Sequence, residues 1–169
     1  HNYRNFDLSS DGLTIAIQRH TYVNSAHKHE IVIFERNSTT ETFSETTSFT
    51  VSLPANDSSI KRIWYNENNG RIITWINEAF PDETFDPDGL ELYELIGGTY
   101  TSRGFIWKES GNAYGSLLAY GAPGNTIVEF NNDLTFFVVG YRSRGGGALR
   151  RGAVGIYSLS GTTSQVTEL

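Results

Sequence analysis

One unit is written three times in this chain, and that repetition limits the fold more than any single residue does. Phe6-Asp7-Leu8-Ser9-Ser10-Asp11-Gly12 leads into Leu13-Thr14-Ile15-Ala16-Ile17. Trp64-Tyr65-Asn66-Glu67-Asn68-Asn69-Gly70 leads into Arg71-Ile72-Ile73-Thr74-Trp75-Ile76, and Glu129-Phe130-Asn131-Asn132-Asp133 into Leu134-Thr135-Phe136-Phe137-Val138-Val139-Gly140. Each is a polar turn rich in Asn, Asp or Gly between two apolar runs, the signature of a β-hairpin. A further strand follows each hairpin: Glu30–Glu35, Gly89–Glu94 and Gly152–Tyr157. Its aromatic residue (Phe34, Tyr93, Tyr157) lies 22, 23 and 23 positions after Gly12, Gly70 and Leu134. Another turn then comes at Asn37-Ser38-Thr39-Thr40, Gly97-Gly98-Thr99 and Gly161-Thr162-Thr163. Repeats of approximately 3–58, 59–124 and 125–169 within a single all-β domain account for this order and spacing.

The pattern inside the strands predicts stacked sheets. Ile31 to Phe34 and Phe136 to Val139 are apolar at every position, as in strands covered on both faces. Phe43 to Val51 is Ser- and Thr-rich with intermittent apolar residues, as in an outer strand facing water. Inner strands covered twice and outer strands covered once describe sheets packed face to face, the arrangement of propeller blades. No window supports a helix, because Gly, Thr and β-branched residues interrupt each one. The expected fold is therefore all-β, with three propeller-blade-like repeats of antiparallel strands. With 169 residues and no cysteine, the chain is long enough to bury a core without disulfides. No apolar run reaches membrane-spanning length. A net charge of −6 opposes nucleic-acid binding.

Leu8-Ser9-Ser10-Asp11-Gly12-Leu13-Thr14-Ile15-Ala16-Ile17, followed by Ile31-Val32-Ile33-Phe34-Glu35-Arg36, resembles the FG-GAP-type repeat of integrin-like β-propellers. Gly152-Ala153-Val154-Gly155-Ile156-Tyr157 is similar to another strand of that repeat, and Tyr120-Gly121-Ala122-Pro123-Gly124 to its Gly-Ala-Pro turn, displaced to a position before the third hairpin. The resemblance implies extracellular recognition or adhesion and no enzymatic activity. Two departures matter. Three repeats are fewer than the 4–8 blades of closed propellers. A stack of three would leave apolar end faces, so the expected partner is protein: the remaining blades of a larger propeller, or further copies through self-association. The calcium loop of integrin relatives is also incomplete. Asp7, Ser9 and Asp11 alternate suitably, but no later acidic ligand follows. These residues, with Asn66, Asn68, Asn131 and Asp133, read as turn formers, and no cofactor is expected from them. A β-trefoil, which closes on itself with three units, is the alternative fold, and a trefoil-like carbohydrate-binding module the alternative function. A repeat near 60 residues is long for a trefoil, and no Gln-x-Trp signature is present.

Several groups remain as candidate sites. The acidic loop Pro81–Gly89 offers Asp82, Asp86 and Asp88, with Glu83, to a cation such as Ca²⁺. Its counterpart in the third repeat is basic: Arg142, Arg144, Arg150 and Arg151 surround Gly145-Gly146-Gly147 and suit an acidic partner surface or an acidic glycan. His27-Lys28-His29 places two imidazoles on one side if extended, but reads more simply as a loop before the strand at 30–35. His1 offers an amine and a ring to copper, as in the histidine brace of lytic polysaccharide monooxygenases, yet no other stretch resembles that family. Asn37-Ser38-Thr39 and Asn56-Asp57-Ser58 are glycosylation triplets suited to a secreted protein. The absence of methionine, with His at position 1, suggests a processed or excised chain. No Gly-x-Ser-x-Gly elbow, His-centred triad or phosphate loop appears. The chain is expected to be a non-enzymatic, secreted or surface-attached module that binds protein.

Overall fold

The computed structural model describes residues 2–23, 26–53, 58–77, 88–108, 126–141, 153–159 and 166–168. Among them there is no helix. The strands are β1 (Asn2–Leu8), β2 (Thr14–Val23), β3 (Ala26–Glu35), β4 (Ser44–Val51), β5 (Ser59–Asn66), β6 (Arg71–Asn77), β7 (Gly89–Ile96), β8 (Thr99–Lys108), β9 (Thr126–Phe130), β10 (Phe136–Tyr141), β11 (Ala153–Leu159) and β12 (Val166–Glu168). They form three four-stranded antiparallel sheets, each a simple meander in chain order: β1–β4, β5–β8 and β9–β12. The protein is thus all-β, as the repeat pattern predicts.

The first hairpin of each sheet is closed by its own Asx residue. Asp11 Oδ1 accepts from Ser9 Oγ at 2.7 Å and from the Leu13 N–H at 2.8 Å. Asn66 Oδ1 accepts the Asn69 N–H, and Asn131 Oδ1 accepts both the Thr135 and Phe136 N–H groups, each at 2.9 Å. Short polar side chains that bond nearby amides make such turns without help from the rest of the fold. All three turns also pass through the left-handed region, at Gly12 (φ 73°), Gly70 (φ 61°) and Leu134 (φ 50°). Leucine pays a steric cost there that glycine avoids. Its side chain is buried in the core, which offsets the strain.

Two apolar layers hold the three sheets together. Ala16, Ile31, Ile33 and Val51 of the first sheet pack with Ile60, Ile63, Ile72 and Tyr93 of the second. On its other side the second sheet packs Trp64, Ile73, Leu90 and Leu92 with Val128, Phe137, Val139 and Tyr157 of the third. Each sheet therefore has a backward face, turned to the preceding sheet, and a forward face, turned to the following one. Among the described residues, only the second sheet packs against a neighbouring sheet on both faces.

Two expectations change in detail. His27-Lys28-His29 is not a loop: β3 begins at Ala26, and β2 pairs with it through His20–His29 and Tyr22–His27. The hairpin is longer than its apolar content suggests because cross-strand ring stacking supports its polar end. Phe136 to Val139 is not covered on both faces either: Phe137 and Val139 are buried, whereas Phe136 stands open. An all-apolar run shows that burial is available on both sides, but a neighbouring sheet must supply it.

Candidate functional site

Strand register shows which residues occupy equivalent positions. Ile15 pairs with Phe34, Ile72 with Tyr93 and Phe137 with Tyr157. Counted from those pairs, Phe6 opposite Ile17 corresponds to Ile63 opposite Thr74 and to Val128 opposite Val139. These are backward-face positions. Ile63 and Val128 are 2% and 0% exposed, but Phe6 is 68% exposed. Forward faces show the converse. Ile31 and Ile33 in β3 correspond to Leu90 and Leu92 in β7 and to Val154 and Ile156 in β11. The first two pairs are buried, while Val154 and Ile156 are 69% and 44% exposed. With Tyr3 and Leu8, Phe6 forms an exposed apolar row along the edge strand β1 on the backward face of the first sheet, whose interior residue Val32 is buried, and Ile127 and Phe136 extend the open forward face of the third. Contiguous apolar surface of this kind marks interaction sites on soluble proteins.

A polar seam accompanies the apolar layers. From the first sheet to the second, Asn5 Nδ2 donates to the Ile60 carbonyl at 2.7 Å, the Tyr65 N–H to Asp7 Oδ2 at 2.8 Å, and Ser10 Oγ to Glu67 Oε1 at 2.7 Å. From the second to the third, Arg62 meets Glu129, while Asn66 Nδ2 and Asn69 Nδ2 donate to the Asn132 and Asp133 carbonyls, all at 2.6 Å. Each hairpin turn is thus tied to the next. Where the turns converge they bound a groove of about 540 Å³, lined in part by Asp7, Tyr65, Glu67, Glu129 and Asp133. Asp7, Glu67 and Glu129 take part in the seam, so they serve to join sheets.

Charge on the open backward face is gathered in one network. Arg19 pairs with Glu30 at 3.1 Å and Glu45 at 2.9 Å, and Lys28 with Glu30 at 2.8 Å. Burial pushes the Glu30 carboxyl up, but the Lys28 and Arg19 cations outweigh it and hold the group below its usual range.

The polar end of the β2–β3 hairpin carries three imidazoles. His20 stacks on His27 and His29 with ring centroids 5.0 and 4.6 Å away, and His20 Nε2 lies 2.8 Å from His27 Nδ1. Asn5 Nδ2 donates to Gln18 Oε1 at 2.8 Å, which leaves the Gln18 amide nitrogen facing His29 Nδ1 at 3.2 Å. His29 is held neutral by burial first, and then by His20, His27 and Arg4, so its pKa falls from 6.5 to about 4. Among the described residues, no group of three or more His, Asp or Glu is placed to hold a metal ion.

Asp88 lies in the interior, where its Oδ2 accepts from Lys61 Nζ at 2.6 Å and Trp75 Nε1 at 2.9 Å. Asp82 and Asp86, the other two members of the acidic loop, lie outside the described residues. So do Arg142, Arg144, Arg150 and Arg151, the triplet residue Asn56, and His1. Asn37 is exposed on the β3–β4 turn, with its N–H bonded to Glu41 at 3.2 Å. The asymmetry between equivalent positions was not apparent from the sequence, since Val154 and Ile156 are as apolar as Leu90 and Leu92. No helix among the described residues is long and apolar enough to cross a membrane. No protein-family model and no curated protein matches the chain, so its functional reading rests on these two open faces.

Proposed function

We propose that this chain is a non-enzymatic, extracellular protein-binding module of propeller-type repeats, working through the open backward face of its first sheet and the open forward face of its third. One observation carries the reading: Phe6 on the first sheet and Val154 and Ile156 on the third are exposed at positions that are buried in the other two sheets. The four-stranded meander repeated three times supports propeller blades, and the FG-GAP resemblance supports adhesion or assembly outside the cell. The partner is a protein that presents a sheet face of its own, because that is what covers the same positions within the molecule.

The test is binding of the dye 1-anilinonaphthalene-8-sulfonate to the 18.8-kDa species isolated by dilution. Dye fluorescence should rise on addition of this species, and Phe6→Lys and Val154→Lys should each remove part of the signal. An 18.8-kDa species that binds no dye overturns the reading.

A further inference from the structure

Resting on the proposed extracellular setting, we infer that Asn37 is an acceptor for an N-linked glycan, carried on the β3–β4 turn. Asn37-Ser38-Thr39 is an Asn-x-Thr triplet, which by itself only permits the modification. The state of the carboxamide goes further. Asn5, Asn66, Asn69 and Asn131 use theirs to close turns or to join strands and sheets. Asn37 bonds through its main-chain N–H, to Glu41 Oε2 at 3.2 Å, and among the described residues its carboxamide has no partner. The turn keeps its shape without that side chain. Arg36 donates to the Gly12 carbonyl at 3.1 and 2.8 Å and to the Thr39 carbonyl at 3.0 Å, and its guanidinium lies over the Phe43 ring at 4.4 Å. The Ser38 carbonyl accepts the Glu41 N–H at 3.2 Å. Asn37 and Thr39, whose hydroxyl completes the triplet, are both exposed. A glycan can therefore hang from Nδ2 into water without breaking a bond of the fold.

The position agrees with a docking role elsewhere. The turn joins β3 to β4, whereas the Phe6 row lies on β1 at the other edge of the first sheet, and the open forward face belongs to the third sheet. The turn also leads into β4, which pairs with β3 alone among the described residues. A bulky, hydrated group at the start of that edge hinders pairing with the edge of another sheet. In the transfer, Asn37 Nδ2 forms a bond to the anomeric carbon of a lipid-linked oligosaccharide. The bond from that carbon to the diphosphate oxygen breaks, the lipid diphosphate leaves, and the amide gives up one proton. Nothing is oxidised or reduced, and a separate transferase supplies the catalysis.

Translation of the whole chain behind a cleavable secretion leader, with microsomes that supply donor and transferase, tests this. Asn56→Gln removes the other triplet, so that Asn37 alone responds. Chains protected from added protease have entered the lumen. Their mass should exceed 18.8 kDa by one oligosaccharide, and peptide-N-glycosidase F should remove the excess and convert residue 37 to aspartate. Asn37→Gln and Thr39→Ala should each abolish the excess, and Thr39→Ser should keep it. Protected chains with bare Asn37 overturn the inference. The glycosylated chain should also match Asn37→Gln in circular dichroism and melting temperature, because the carboxamide is spare. A glycosylated chain that fails to fold shows that the fold needs that group, and overturns the inference as well. The dye separates this proposal from the one beneath it. Bare Asn37 on a chain that binds the dye removes the glycan and leaves the docking module, whereas a glycan on a chain that binds no dye removes the module and leaves the acceptor.

Discussion

The second and third sheets are built from the same strand order, the same kind of Asx-closed turn and the same apolar positions, yet they live in different surroundings. Leu90 and Leu92 on the forward face of the second sheet are sealed beneath the third, while Val154 and Ile156, their counterparts, face outward. On the backward faces both sheets are covered: Tyr93 and Tyr157 are buried at equivalent positions. The difference therefore lies in what stands next to a sheet. A strand pattern establishes that a face is suited to burial, and only the stacking partner makes it buried. Removing the partner turns a core position into an interaction surface with no change in residue chemistry.

The comparison predicts its largest effect at Leu92. Leu92→Ala opens a cavity in a fully covered layer and is expected to cost about 2–5 kcal/mol in denaturant unfolding. Ile156→Ala, measured on the 18.8-kDa species, is expected to cost less than about 1 kcal/mol, within the range of substitutions away from a core. Equal costs would show that the forward face of the third sheet is covered within a single chain.

A second contrast sets the polar end of the first sheet against the rest of the stack. His29 has a folded-state pKa of about 4 against 6.5 ordinarily, so between those values the unfolded chain binds more protons than the folded one. The contribution of His29 to stability is therefore complete above about pH 6.5 and is lost as pH falls toward 4. Protonated Nδ1 would meet the Gln18 amide nitrogen, and Gln18 is tied to Asn5 and through it to the Ile60 carbonyl. His29→Gln is expected to flatten the slope of stability against pH over that window. An unchanged slope would assign the pH dependence to other groups.

The turns provide a finer comparison. Gly12 and Gly70 both have positive φ, but a Cβ at Gly70 would meet Leu95 Cβ at 2.9 Å, while at Gly12 the nearest atom is Arg36 Nη2 at 3.8 Å, an ordinary contact. Gly12→Ala is expected to cost roughly 1–2 kcal/mol from backbone strain alone. Gly70→Ala should cost measurably more, and thermal unfolding of the two variants would reveal any reversal of that order. The smallest effect has the opposite sign. Thr74 lies at the position of Ile17 and Val139, is fully buried, and its hydroxyl has no hydrogen-bond partner. Thr74→Val removes a desolvated polar group without changing shape and should raise stability by about 1 kcal/mol. A lower melting temperature would mean that the hydroxyl is satisfied.

How much of this was legible beforehand depends on the range of the interaction concerned. The Asx turns were, because Asp11, Asn66 and Asn131 bond amides two to five residues away. So were the three hairpins and the outer strand β4, since period and turn chemistry are local. The sequence also determined that the chain would be all-β and written in three units. Tertiary structure alone decided that His20 would stack on His29 across nine positions, that Asp88 would meet Lys61 and Trp75 in the interior, and that Asp7 would accept the Tyr65 amide of another sheet. It alone decided, too, that Phe6, Val154 and Ile156 would stand open. Hydrophobic burial carries no direction and no address: residue type fixes how strongly a face is driven from water, but its cover is set by elements remote in the chain or on another molecule.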